Sequence, residues 1–86
     1  MRGRILAVDP GDKRIGLAVS DPSATIASPL CVINHVSRVM DAAQIAGVAA
    51  EMDAVLILVG QSLDDDGNPS PEGRKALRLA DAIRLQ

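Results

Sequence analysis

The segment Ala54–Gly60 constrains the fold most, because every residue from Ala54 to Val59 is apolar. This run is far shorter than the roughly 20 apolar residues that a membrane-spanning helix needs. Side chains alternate between the two faces of a strand, so a continuous apolar run predicts a strand that is buried on both faces. Such strands usually lie in the centre of a sheet, and we expect this one to do so.

Three further strands are predicted upstream, at Arg4–Asp9, Arg14–Ser20 and Pro29–Ile33. In the second of them apolar residues alternate with small ones, as in a strand with one buried face. These apolar positions are Ile15, Leu17 and Val19. The link Pro10–Lys13 is short and contains a glycine, which fits a hairpin between the first two strands. A turn signal at Asp21-Pro22-Ser23 precedes the third strand.

Two helices are predicted. Ser37 is a typical N-cap residue for a helix that runs to about Met52. Its helically spaced apolar residues, which we expect to face the core, are Val39, Ala43, Ala46 and Ala50. Ser70 and Pro71 begin a second helix in the expected way, and this helix is predicted to reach the last residue. Its apolar stripe consists of Ala76, Leu79, Ala80 and Ile83.

The order strand-strand-strand-helix-strand-helix predicts an α/β fold with a mixed sheet in a single domain over residues 1–86. A helix after a buried strand normally leads to another strand, so we expect this domain to be incomplete. With one Cys the chain is neither a disulfide scaffold nor a Cys-rich zinc protein. No signal-peptide core is found near the start, and a soluble cytoplasmic protein is expected.

The composition restricts how the chain would hold nucleic acid. It has no Phe, Tyr or Trp on which bases would stack, and its net charge is −2. Nucleic acid would therefore have to be held by local Lys or Arg, by backbone N–H groups or by a metal ion.

The motif Asp9-Pro10-Gly11-Asp12-Lys13-Arg14-Ile15-Gly16 offers such a site. Asp9 ends an apolar strand, where a carboxylate is costly to bury and is usually paired or metal-bound. Gly11 allows the backbone to approach a phosphate closely, and Lys13 and Arg14 bring positive charge. The alternative is structural: Asp9 and Gly11 shape the hairpin, while the two cations are simply solvated.

Residues Ile5–Asp21, which contain this motif, resemble the opening of the YqgF/RuvX family of Holliday junction resolvases and pre-16S rRNA nucleases, which have an RNase H-like fold. A second set of residues is similar to the family's later strand, loop and helix. These residues are Val59, Gly60, Leu63, Asp66, Gly67 and Gly73. The resemblance implies a nuclease that uses Mg²⁺ or Mn²⁺ to hydrolyse phosphodiesters in branched DNA or precursor rRNA. It makes Asp9 the catalytic metal ligand, with Gly11, Lys13 and Arg14 at the substrate phosphate.

Two departures from the family pattern affect this expectation. The family commonly has Leu-Pro after the glycine that matches Gly60, whereas this chain has Gln61-Ser62. The family's further acidic strand and its closing helix would both lie beyond Gln86. Because one carboxylate cannot hold a pair of metal ions, we expect the chain alone to be weak or inactive. The missing strand would leave a sheet edge open for a homodimer.

Two other functions remain open at this point. A strand ending in an acid before a glycine turn also resembles the first phosphate loop of actin-like and sugar-kinase ATPases. The chain would then be a fragment of an ATP-binding domain. The third possibility is a non-catalytic assembly module that pairs through its sheet edge.

The remaining signals are weaker. The run Asp64-Asp65-Asp66 invites a calcium loop, but the twelfth position is Gly73 where a glutamate is required. Arg74 and Arg78 share a helix face, either as a phosphate patch or as a solvated face.

For the solvated face, we predict an intrahelical Arg78–Asp81 pair. Cys31 is expected to be a small buried hydrophobic residue, and His35 a loop residue before the first helix.

Overall fold

The computed structural model describes residues 3–60, 65–68 and 70–86, which form a four-stranded sheet with two helices packed on one face. The elements in chain order are β1 (Arg4–Pro10), β2 (Arg14–Ser20), β3 (Ala27–Asn34), α1 (Arg38–Glu51), β4 (Ala54–Val59) and α2 (Pro71–Arg84). The predicted element order and the α/β class are confirmed. Neither helix is long and apolar enough to cross a membrane.

The sheet has the strand order β3-β2-β1-β4 and is mixed. Strand β2 pairs antiparallel with both β1 and β3, whereas β4 runs parallel to β1. Because β4 is parallel to β1, the chain must cross over between β3 and β4, and α1 forms this connection. The predicted bounds of β2 are correct, while β3 extends beyond the predicted Pro29–Ile33 at both ends.

Strand β4 lies at the edge of the sheet, so the prediction of a central strand is wrong for the part of the chain that is described. Val55 and Leu58 are 57% and 51% exposed. Leu58 pairs with Ala7, on the sheet face turned away from the helices. A continuous apolar run indicates that both faces of a strand favour apolar contacts. It does not indicate whether this chain provides those contacts on each side of the strand.

The core lies between the other sheet face and the two helices. Leu6, Ile15 and Ile45 are its largest fully buried side chains. The rest of the core cluster consists of Val8, Leu17, Ile33, Ala42, Ala49, Leu79 and Ile83. Because aliphatic residues alone fill this core, the two helices must pack closely on the sheet to exclude water.

Helix α1 begins where predicted, since the Ser37 hydroxyl accepts a hydrogen bond from the Met40 N–H at 3.2 Å. Its predicted inward stripe is wrong: Val39 is 68% exposed. The buried side chains are instead Asp41, Ala42, Ile45 and Ala49. Apolar residues occupy most of the circumference of α1, so their spacing does not fix its rotation. The rotation of α1 is fixed instead by the large Ile45 and the buried Asp41.

Helix α2 also begins as predicted, with the Ser70 hydroxyl accepting from the Gly73 N–H at 3.0 Å. Ala76, Leu79 and Ile83 are buried as expected, but the helix ends at Arg84 rather than at the last residue. The predicted polar loop Gln61–Pro69 lies largely outside the described residues, which include only 65–68 of it.

The predicted turn after β2 is built around Asp21. Its Oδ1 accepts hydrogen bonds from the Thr25 N–H at 2.9 Å and from the Ser23 hydroxyl at 3.0 Å. The Thr25 bond is the main reason why the pKa of the Asp21 carboxyl is lowered, and the Ser23 hydroxyl adds to the effect. The carboxylate form of Asp21 thus stabilises the turn that leads into β3.

Candidate functional site at the end of the first strand

Asp9 lies near the end of β1 and is exposed. It pairs with Gly16, so it lies on the sheet face opposite the helices, whereas its neighbour Val8 points into the core. A Cβ atom on Gly16 would lie 3.9 Å from the Asp9 Cβ, so the glycine leaves the space beside the carboxylate open. The position fits the predicted role of Asp9 as an accessible ligand.

Gly60 follows β4 immediately beside this point. Its N–H donates to the Val8 carbonyl at 2.8 Å, which extends the parallel pairing by one residue beyond the strand. Because β1 and β4 are parallel, their carboxyl ends meet at one edge of the sheet. The chain that leaves β4 therefore starts next to Asp9, although residues 61–64 are not among those described.

Gly11 closes the hairpin by donating its N–H to the Arg14 carbonyl at 2.9 Å. A Cβ atom at Gly11 would lie only 2.5 Å from that same carbonyl oxygen, closer than real Cβ contacts allow. The turn itself therefore requires glycine at this position. This is a structural reason for Gly11, in addition to the close approach of a phosphate predicted from the sequence.

Lys13 and Arg14 are both exposed. Arg14 is two positions from Gly16 along β2, so it shares a sheet face with Asp9, at the diagonal distance of about 7–8 Å typical of paired strands. The Lys13 carbonyl accepts the His35 N–H at 2.9 Å, which ties the turn to the start of α1. A glycine turn, one carboxylate and two cations are thus brought together at one sheet end.

A second carboxylate, that of Asp12, lies in the same turn, but it lines a groove on the helix side of the sheet with its Oδ1 3.8 Å from Lys75 Nζ. Within residues 3–60, 65–68 and 70–86, no group of three or more His, Cys, Asp or Glu side chains is arranged to hold a metal ion. Asp64 of the acidic run lies outside the described part of the chain. Of the two acids near this turn, Asp9 is the one on the sheet face opposite the helices.

Three predictions about individual side chains are affected by the structure. Cys31 is exposed rather than buried: it pairs with Leu17, but β3 is an outer strand that the helices do not cover. The predicted Arg78–Asp81 pair is also wrong, since Asp81 bonds Arg84 at 3.0 Å. Arg78 turns towards a groove beside the β1–β2 turn, whereas Arg74 is not among the residues that line this groove.

The sequence interpretation missed one polar contact near this sheet end, between His35 Nδ1 and the carboxylate of Asp41. His35 does precede α1 as predicted, but Asp41 is a buried member of that helix. An acid in the first turn of a helix suits its positive end, which was the available signal. That signal alone gives no indication of burial.

Comparison with known proteins agrees with the resemblance seen in the motif. The family model for the Holliday junction resolvase RuvX matches residues 3–86. The chain belongs to the RuvX family. This match covers both motifs and favours the RuvX family over a fragment of an ATP-binding domain.

Curated relatives support the same assignment. A protein of Thermoanaerobacter pseudethanolicus is 36% identical over 81 residues, covering 94% of this chain and 58% of the relative. A Kineococcus radiotolerans protein is 42% identical over 79 residues, covering 91% of this chain and 42% of the relative. Both carry the name "Putative pre-16S rRNA nuclease". The chain thus spans about half the length of these relatives.

Proposed function

We propose that this chain supplies the first carboxylate and the phosphate-binding turn of a metal-dependent nuclease that acts on precursor 16S rRNA. The observation that carries the proposal is the exposed Asp9 at the sheet end, beside the Gly11 turn and Arg14. The names of the RuvX-family relatives support RNA as the substrate.

Asp9 fits a magnesium ligand as far as the described residues go. Mg²⁺ usually binds through one or two carboxylates together with waters and substrate phosphates, so a single exposed carboxylate is a usable partial site. When bound, such an ion supplies Lewis-acid stabilisation of the phosphate oxygens and makes coordinated water more acidic.

The other residues of the turn would orient the substrate. Arg14 shares the sheet face of Asp9 and would neutralise a phosphate oxygen there, with bidentate geometry available to its guanidinium. Lys13 would add a second positive charge at the turn. Because the Gly11–Arg14 hydrogen bond closes the turn, these groups are held on a rigid support close to the carboxylate.

The same geometry leads us to expect weak activity from this chain alone. One carboxylate does not hold the two ions that clamp both the attacking and the leaving oxygens in two-metal nucleases. Among the described residues, Asp9 is not part of any group of three or more His, Cys, Asp or Glu side chains arranged to hold a metal ion. We therefore expect turnover well below the range of about 1–1,000 s⁻¹ that is typical of enzymes.

The test is single-turnover cleavage of a labelled precursor 16S rRNA 5′ segment by excess protein, with Mg²⁺ or Mn²⁺ and with EDTA. We expect slow, metal-dependent cleavage that is lost in Asp9→Asn. The matched control is Asp53→Asn, which removes an exposed acid between α1 and β4 at a residue with a positive φ that Asn tolerates. Binding of the RNA is measured in parallel, and metal ions should strengthen it in the wild type but not in Asp9→Asn.

Cleavage by Asp9→Asn at the wild-type rate would refute the role of Asp9. Rapid multiple turnover by the wild-type chain would instead refute the expectation of weak activity, while leaving the nuclease proposal intact.

A four-way DNA junction is the second candidate substrate, because the matching family is described as a Holliday junction resolvase. The same assay with a labelled junction decides between the two. The proposal of RNA fails if the junction is cut faster than the RNA in an Asp9-dependent manner.

We also propose that two copies of the chain pair through the outer edge of β4, to which no strand of the described residues is hydrogen-bonded. This edge is apolar, with Val55 and Leu58 about half exposed, and an unpaired edge strand is a template for another strand. Sedimentation velocity should show a concentration-dependent dimer that Leu58→Lys disrupts. Val36→Lys changes a similarly exposed residue outside the sheet and should leave the dimer intact. A strictly monomeric wild type would refute the pairing.

A further inference from the structure

A groove of about 310 Å³ lies on the helix-covered side of the sheet, between the β1–β2 turn, the start of α1 and one side of α2. We refer to it as the α-side groove. The polar residues that line it include Asp12, His35, Arg38, Asp41, Lys75 and Arg78. Gly11 of the turn also lines this groove, but Asp9 and Arg14 are not among its lining residues and face the opposite side of the sheet.

His35 is held in one orientation at the wall of this groove. The side chain of Asp41 is 3% exposed; its Oδ1 accepts the Val36 N–H at 3.0 Å, and its Oδ2 bonds His35 Nδ1. An ionised carboxylate only accepts hydrogen bonds, so Nδ1 carries the hydrogen in this contact. The other ring nitrogen, Nε2, is thereby left for a ligand, and the His35 side chain is 44% exposed.

The exposed charge in the α-side groove is positive, although the whole chain has a net charge of −2. Arg38, Lys75 and Arg78 are exposed cations from two different helices. Asp12 is the exposed acid among the lining residues, with its Oδ1 3.8 Å from Lys75 Nζ. Three cations facing one exposed carboxylate favour an anionic ligand.

We infer that the α-side groove binds the phosphodiester backbone of a nucleic-acid strand, with His35 Nε2 donating a hydrogen bond to a phosphate oxygen and Lys75 and Arg78 neutralising neighbouring phosphates. This inference extends the proposed function. Pro10 lies in the groove wall and directly follows Asp9, so a strand that crosses this end of the sheet reaches both sites.

The arrangement suits a strand better than a small free anion. The cations are distributed over two helices, with Arg38 at the start of α1 and Lys75 and Arg78 along one side of α2. Arginine and lysine contacts to the successive phosphates of a backbone fix its position and carry no sequence information. The groove therefore positions a strand and does not select its sequence.

Donation from Nε2 requires a second proton on the ring, because a neutral imidazole with its hydrogen on Nδ1 only accepts at Nε2. The charged groups around the ring are Asp41 and Arg38 from α1, Asp12 from the turn, and Lys75 and Arg78 from α2. A phosphate oxygen at Nε2 is therefore bound by the doubly protonated ring, which carries a positive charge.

The test is fluorescence anisotropy with a labelled 12-nucleotide single-stranded RNA and the 86-residue chain in EDTA, over a range of salt concentrations. Lys75→Gln and Arg78→Gln should each weaken binding about three- to tenfold and reduce the slope of log K against log salt by about 0.7. Arg84→Gln removes the same charge from α2 outside the groove and should leave both values unchanged. Asp12→Asn should tighten binding, because it releases Lys75.

His35→Asn isolates the contribution of Nε2. The Asn amide still donates to Asp41 from the position of Nδ1, but nothing replaces Nε2. This variant should bind the RNA about three- to tenfold more weakly, the loss of one hydrogen bond, while its circular dichroism spectrum stays that of the wild type. Wild-type affinity in His35→Asn would overturn the role given to His35.

Wild-type affinity and an unchanged salt slope in both Lys75→Gln and Arg78→Gln would overturn the inference, and both are surface changes that leave the core intact. Displacement of the RNA by inorganic phosphate at matched ionic strength would also overturn it, by showing that the occupant is a free anion. Because these measurements use EDTA, they are independent of cleavage. If Asp9→Asn cleaves normally while the groove variants bind weakly, the proposed function fails and the groove inference stands.

Discussion

Replacement of Asp41 by alanine is expected to destabilise the chain strongly, although Asp41 lies outside the site around Asp9. Asp41 is the buried charged side chain among the residues that the structure describes, with 2% of its surface exposed. Its two carboxylate oxygens connect the end of β3 to the first turn of α1 through Val36 and His35. The variant therefore tests what fixes the rotation of α1 on the sheet.

The magnitude follows from these contacts. A hydrogen bond to a charged group contributes about 1.5–3 kcal/mol. The lower value applies to both bonds of Asp41, because His35 and Val36 are exposed and water replaces part of each contact. A carboxylate in the first turn of a helix adds about 0.5 kcal/mol. These hydrogen-bond contributions are already net of the cost of removing the groups from water. The loss is therefore about 3.5 kcal/mol in the free energy of unfolding.

Asp41→Asn is the matched variant. It keeps the volume and the acceptor for Val36, and its amide donates to His35 once the ring carries its hydrogen on Nε2. It should cost only about 1 kcal/mol, the difference between charged and neutral hydrogen bonds. Asp81→Asn removes an exposed acid whose partner is Arg84, and such a surface pair contributes about 0.5 kcal/mol or less.

Thermal unfolding followed by far-ultraviolet circular dichroism is the assay, because the chain has no Trp or Tyr for fluorescence. A loss of about 3.5 kcal/mol lowers the Tm of a domain of this size by about 14–28 °C. If Asp41→Ala melts within about 2 °C of Asp81→Asn, a difference of less than ~0.5 kcal/mol, the contacts of Asp41 contribute nothing measurable and the argument for the rotation of α1 fails.

Two further outcomes are expected from the same measurements. Gly11→Ala should cost about 1–3 kcal/mol, because its Cβ would lie 2.5 Å from the Arg14 carbonyl oxygen. Gly47→Ala, with nothing within 4 Å of the added Cβ, should instead stabilise α1 by up to about 1 kcal/mol. Equal effects at the two positions would contradict the steric reason. Asp21→Asn should be less stable than the wild type at pH 7, and the difference should disappear in acid. The reason is that the pKa of Asp21 is lower in the folded chain than its ordinary value of 3.8. The contribution of the carboxylate to stability is therefore complete above that value and is lost as the pH falls through the lowered pKa. A difference that persists at pH 2 would show that the Asp21 carboxylate is not the cause.

Local signals in the sequence predicted the elements well. The bounds of β2 follow from the alternation of apolar and small residues after a glycine turn, and both helices begin after serine caps that make the expected hydrogen bonds. These features depend on residues within a few positions of each other, which is why they are readable without a structure.

Features that depend on distant partners were not predictable in the same way. The rotation of α1 depends on a contact between Asp41 and His35 that the apolar spacing does not report. The edge position of β4 depends on which strand pairs with it, and the exposure of Cys31 depends on how far the helices extend across the sheet. Each of these was misjudged because the local pattern allowed two placements.

The candidate site shows the same difference between features set by neighbouring residues and features set by distant ones. Asp9 and the Gly11 turn were located by the motif and lie together at the sheet end, as the resemblance to the RuvX family implies. The α-side groove was missed because its residues come from three separate parts of the chain. The sequence suggests Arg74 and Arg78 together as a phosphate patch, but only Arg78 lines the groove.

The placement of Asp9 on β1 has a consequence for how the molecule opens. Strand β1 has a paired strand on each side, and the Gly60 N–H continues that pairing past Val8. We therefore expect the backbone amides of β1 to exchange with solvent deuterium more slowly than those of the segments around it. Any fitting of the chain to a bent or branched ligand would then come from those segments and not from the strand that carries Asp9.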